Sequence, residues 1–109
     1  YYKQRFSIYP EIILPSENSN VDVNWHLFPA RFDSQDRRRI FEGLRNAGIG
    51  VQVNYMPAYW HPKFIEMGFR RGMFPVSDDF YSREISLPMH SRLTIKELSF
   101  IADNVISLL

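Results

Sequence analysis

Side chains that could hold a polar ligand gather at one place in this sequence, Gly48–Phe64 (GIGVQVNYMPAYWHPKF). Asn54 and Tyr55 close an alternating run. Tyr59, Trp60 and His61 follow in a loop between Pro57 and Pro62. An amide, two phenols and an imidazole both donate and accept hydrogen bonds, so the chemistry on offer is recognition. The groups that make and break bonds are absent or badly placed. Lys3 sits near a frayed end, Lys63 follows a proline, and Lys96 belongs to the first turn of a helix. None has the apolar surroundings that would lower its pKa toward Schiff-base chemistry. His26, His61 and His90 lack metal-ligand spacing. There is no cysteine, and no GxGxxG, P-loop, HExxH or GxSxG motif. We therefore expect substrate-binding residues at Asn54, Tyr55, Tyr59 and His61, and no catalytic residue or metal site. By residue type alone the plainer reading is preferred: Tyr55 closes the core, Asn54 starts a turn, and Tyr59 and Trp60 anchor the loop.

The elements that would position these groups follow from periodicity. Ile49, Val51, Val53 and Tyr55 alternate with Gly50, Gln52, Asn54 and Met56, the pattern of a half-buried strand. Val23–Phe32 (VNWHLFPARF) is a second strand, at an edge or bulged because Pro29 has no N–H to donate. Ile85–Met89 is a third, ended by Pro88. Residues 1–7 read as the tail of a helix, and Tyr9–Pro15 as a short extended piece. A helix is predicted over 34–47, capped by Asp33 or Ser34, with Gly48 supplying a left-handed C-terminal residue. Shorter helices are predicted over 62–67 and 76–84. The last helix opens on Thr94-Ile95-Lys96-Glu97, a capping box, and carries Leu98, Ile101, Ala102, Val105, Ile106 and Leu109 along one face. Together these predict an α+β fold: a small, mostly antiparallel sheet of about three strands with helices packed on one face. Strand 49–55 is expected beside strand 23–32.

With 109 residues the chain forms one domain, and 45% apolar content is ordinary for a globular protein. A net charge of +1, with basic residues clustered only at Arg37–Arg39 and Arg70-Arg71, argues against nucleic-acid binding. No apolar run is long enough to span a membrane. Absence of cysteine suits a cytoplasmic protein. The chain opens Tyr1-Tyr2-Lys3 without an initiator methionine, so we expect a fragment of a longer protein.

Four separated segments carry a resemblance: WHLFPARF (25–32), RRRIFEGLRNAGIGVQVNYMPAYWHPKF (37–64), FPVSDDFYSREISLPMH (74–90) and the tail from Leu93. In this order they resemble the C-terminal part of the DegT/StrS-type sugar aminotransferases, pyridoxal-phosphate enzymes that aminate nucleotide-linked keto-sugars. The NYMPAYWHP variant is similar to the branch that makes 4-amino sugars for pseudaminic-acid-like surface glycans. The resemblance implies the small domain of a fold-type I enzyme, with residues 1–24 leading in from a large domain. That large domain would supply the Schiff-base lysine and phosphate cradle, so no coenzyme is expected on this chain alone. It also implies a nucleotide-sugar substrate, glutamate as amino donor and a homodimeric parent. Asn54 stands where the family often has His, Tyr55 matches the family Tyr, Tyr59 replaces a His and His61 a Gln. Two rivals remain: a stand-alone binding module that uses loop 59–61 to hold a sugar or a partner, and a domain that serves only dimer packing.

Overall fold

A computed structural model describes residues 1–109. The chain runs α1 (Tyr2–Phe6), β1 (Phe28–Arg31), α2 (Arg37–Asn46), a 3₁₀ turn (Ala58–Trp60), α3 (Pro62–Glu66), α4 (Pro75–Arg83), β2 (Glu84–Leu87) and α5 (Ile95–Ser107). The fold is α+β, and its regular sheet has two antiparallel strands.

Two flanking segments widen that sheet. β1 and β2 pair Phe28 with Leu87, Pro29 with Ser86, Ala30 with Ile85 and Arg31 with Glu84. Beyond β1, Ile13 and Arg31 exchange both backbone hydrogen bonds, at 2.8 and 3.0 Å. Beyond β2, Gln52 bridges Ser86. The order across the sheet is therefore Ile13, β1, β2, Gln52. The expected neighbours 49–55 and 23–32 are not adjacent, because β2 lies between them. Pro29 fits this order. Phe32 donates to Arg83 while Arg31 turns its N–H outward to Ile13. Backbone groups alternate along a strand, so Pro29 also faces outward, where the β1–β2 ladder needs no donor.

Paired residues in an antiparallel ladder share a face. Phe28, Ala30, Ile85 and Leu87 therefore point together, and all four are buried. Ile40 and Leu44 of α2, Ile101, Ala102 and Val105 of α5, and Ile49 and Val51 complete that core. α1 adds Tyr2 and Phe6, whose rings stack at 5.7 Å. The Tyr2 hydroxyl donates to the Pro88 carbonyl at 3.0 Å. Burying the rings while the phenol finds an acceptor is what lets a tyrosine sit inside.

Local signals act where they were read. Thr94 and Glu97 form the reciprocal capping box at the start of α5. Gly48 has φ +80, the left-handed conformation that a helix end asks of glycine. α2 starts three residues later than predicted. Asp33 accepts the Gln35 N–H and builds a turn ahead of the helix instead of capping it. Gly43 lies against Leu108, and a Cβ there would meet the end of its side chain at 2.7 Å, so a larger residue would require Leu108 to shift.

Ile101 is 4% exposed, at the centre of the α5 stripe. Truncation to alanine should cost about 2–5 kcal/mol in a urea titration, the usual range for a large aliphatic side chain removed from a core. A shift near zero would show that α5 does not seal this face.

Candidate functional site

The other face of the sheet is polar. Pro29, Arg31, Glu84 and Ser86 point to it by register, and so does Gln52 opposite Ser86. An open groove of about 300 Å³ lies there, walled by Trp25, His26, Leu27, Pro29, Asn54 and Phe80. It brings Asn54 beside the Trp25-His26 pair. The Arg31 guanidinium lies 5.6 Å from the Phe80 ring centre and extends this face.

The expected strand 49–55 is reduced to a single bridge at Gln52, and Glu84 takes over the rung that would follow it. Two residues past the Gln52–Ser86 pair, an antiparallel ladder would next join Asn54 to Glu84. Here the side chain of Glu84 intercepts that bond: the Asn54 N–H donates to its Oε2 at 2.8 Å. The Ser86 hydroxyl donates to Oε1. Glu84 is 0% exposed, so its carboxylate needs these donors. Burial pushes the carboxyl above the usual glutamate range, opposed by the bonds from Ser86 and the Asn54 backbone and by the positive charge of Arg37. The sequence reading placed Glu84 at a helix end and missed this role. A glutamate inside a run otherwise fit for a buried strand, EISL, was the available signal.

After Asn54 the chain leaves the sheet. Tyr55 is 71% exposed and its ring is free to meet a ligand. His61 is exposed and precedes α3, with its carbonyl accepting the Phe64 and Ile65 N–H groups. Tyr59 behaves differently. It is buried, its hydroxyl donates to the Asp78 carboxylate, and the Gly72 N–H donates to both Tyr59 Oη (3.3 Å) and Asp78 Oδ2 (3.0 Å). The Tyr59 hydroxyl, one of the expected ligand contacts, is engaged within this chain by these bonds. Its ring stands edge-on to Phe74 at 4.9 Å. Trp60 stands edge-on to Tyr81 at 5.3 Å, beneath the Arg71 guanidinium at 4.2 Å. The two rings pin the loop to α4, which leaves Tyr55 and His61 as its outward groups.

No lysine here fits pyridoxal phosphate as a Schiff-base partner. Lys3 pairs with Glu17 and lies over the Trp25 ring at 4.7 Å; Lys63 and Lys96 are exposed. No His, Asp or Glu side chains gather as a metal site. No helix is long and apolar enough to cross a membrane.

The same arrangement recurs in solved proteins. DesV of S. venezuelae, in complex with a ketimine intermediate, superposes with a TM-score of 0.89 at 25% identity, over 97% of this chain and 28% of its own. Helicobacter pylori PseC, an aminotransferase involved in the biosynthesis of pseudoaminic acid, gives 0.80 at 28% identity, over 98% of this chain and 29% of its own. The fold is thus one found within aminotransferases. A UDP-4-amino-4,6-dideoxy-N-acetyl-beta-L-altrosamine transaminase of Campylobacter jejuni is 33% identical over 92 residues, covering 77% of this chain and 23% of that relative. The chain belongs to the DegT/DnrJ/EryC1/StrS aminotransferase family, whose sequence model matches residues 1–106. It spans about a quarter of the length of the curated relatives it matches. A sugar aminotransferase structure from Streptococcus pneumoniae, Spr1654, 25% identical with a TM-score of 0.86, is described in its PLP form and covers 99% of this chain and 29% of its own.

Two outcomes follow from this geometry. Tyr59→Phe removes the hydroxyl that donates to Asp78 and accepts from Gly72, and should cost about 1–3 kcal/mol while loosening residues 57–73 to limited proteolysis. Unchanged stability and cleavage would show that the bond does not hold the loop. Glu84 holds its proton more tightly folded than unfolded, so it makes the fold less stable as pH rises from the ordinary glutamate value through the raised one. The stability of the wild type relative to Glu84→Gln should therefore decline as pH rises from the ordinary glutamate range through the raised one. A difference independent of pH would contradict a raised carboxyl.

Proposed function

We propose that residues 1–109 are the small C-terminal domain of a longer pyridoxal-phosphate aminotransferase that aminates a nucleotide-linked keto-sugar for a surface polysaccharide or glycan. Residues 1–24 would lead in from its large domain. The observation that carries this reading is the family match over nearly the whole chain, joined to superposition on 97–98% of it within aminotransferases of greater length. When bound, the coenzyme supplies the electron sink for amine transfer. Its lysine and phosphate contacts belong to segments outside this chain, since no lysine here fits that role. Glutamate as donor, a homodimeric parent and a cytoplasmic location belong to the same proposal.

In this reading the polar face of the sheet covers the cleft. Asn54 and Tyr55 emerge where the ladder ends, and His61 stands on the loop beyond. Their amide, phenol and imidazole suit hydroxyl and phosphate oxygens of a sugar nucleotide. The buried ladder fixes the base of this segment, and exposure frees its tip, the usual division for a ligand-binding loop. Tyr59 enters through the loop it holds, with its hydroxyl committed to Asp78. These residues orient the sugar and exclude water; proton transfer at the reacting carbon is not theirs.

In the longer enzyme, Tyr55→Phe and Asn54→Ala should each lower kcat/KM for the nucleotide sugar by about ten- to a hundredfold, the loss of one or two hydrogen bonds. Absorbance of the bound coenzyme should stay the same. If both variants keep full kcat/KM, the segment is a structural feature and its assignment to substrate fails.

A further inference from the structure

We infer that Glu84 is a positioning residue for substrate: its buried carboxylate holds the Asn54 N–H and thereby sets where Asn54 and Tyr55 leave the sheet. The inference rests on the reading of Asn54 and Tyr55 as sugar contacts, and goes beyond it by assigning what aims them. Glu84 is fully buried, both of its oxygens are bonded, and its two partners lie on different segments. One oxygen binds its own strand through Ser86. The other reaches the neighbouring segment at the point where backbone pairing stops.

A fully backbone-paired strand would carry Asn54 and Tyr55 onward along the sheet. The carboxylate takes the Asn54 N–H in place of the Glu84 carbonyl that a ladder would offer. The segment turns away there, and Tyr55 comes out exposed. An ionised acceptor binds an N–H more strongly than a neutral one, so the hold is firmest when Glu84 is charged. The charged groups facing it are few. Arg37 of α2 favours the anion, while its Nε–H donates to the Ser82 carbonyl at 3.2 Å. Arg31 is its cross-strand partner on β1, with the guanidinium turned over Phe80. Arg83, next to it in α4, is paired to Asp79 at 2.8 Å. The segment 52–54 brings no titratable side chain.

The test uses the longer enzyme, assayed with its nucleotide sugar across pH. Glu84→Ala should raise KM for the sugar at least about tenfold, with kcat within about threefold of wild type. Glu84→Gln keeps an oxygen for the Asn54 N–H and should restore KM to within about threefold. In wild type KM should fall as pH rises through the Glu84 titration, and in Glu84→Gln that dependence should vanish. If Asn54→Ala raises KM but Glu84→Ala does not, the positioning role is overturned and the sugar contact survives. If Asn54→Ala and Tyr55→Phe leave KM unchanged, the sugar-site reading itself fails, and this inference with it. Should Glu84→Ala fail to fold, the Asn54 amide resonance decides in protein labelled with ¹⁵N-asparagine. It must move with pH in wild type and stay fixed in Glu84→Gln, and a wild-type resonance indifferent to pH overturns the inference.

Discussion

A carboxylate removed from water must be surrounded by donors, and that requirement at Glu84 shapes the middle of this fold. The residue starts β2, faces away from the apolar core, and is nevertheless sealed from solvent. Its needs are met by a hydroxyl on its own strand and a backbone N–H on the next segment. The second bond replaces a rung of the ladder. What would have been a third strand becomes a single bridge followed by a departing loop. A buried ionisable group of this kind adds little net stability, because desolvation opposes what its partners return. Its effect is on geometry: the segment has one place to end.

Much of the architecture was legible because its causes are local. A capping box needs only Thr94 and Glu97 three residues apart, and a left-handed helix end needs only Gly48. The α5 stripe follows from spacing alone, and Ile101, Ala102 and Val105 are buried as its period demands. The errors have non-local causes. The alternation of 49–55 is real, and Ile49 and Val51 do enter the core, yet alternation cannot show that a glutamate 30 residues later takes the Asn54 N–H. Nor can it show that β2 separates this segment from β1. Tyr59 and Tyr55 are the same residue type four positions apart. One is buried against Asp78 and the other open to solvent, a difference made by α4 folding back over the loop.

The candidate site was legible as a segment and not as a surface. The cluster of polar and aromatic residues marked 54–61, and family resemblance agreed with it. The groove itself draws on three separated stretches, around Trp25, Asn54 and Phe80. Only pairing across the sheet brings Pro29 and Asn54 to one face. Trp25 and His26, far from Asn54 in sequence, become walls once that face is formed.

The two faces of this small sheet divide the burdens on the sequence. Side chains that carry the core point one way, while Tyr55 and His61 touch neither core nor ladder. Exchanges at those two positions therefore leave the fold almost untouched, and the backbone bond at Asn54 does not depend on the amide side chain at all. Such a surface is evolvable. A lineage can redraft the chemistry it presents one residue at a time, without first acquiring the spare stability that altering a packed interior would demand.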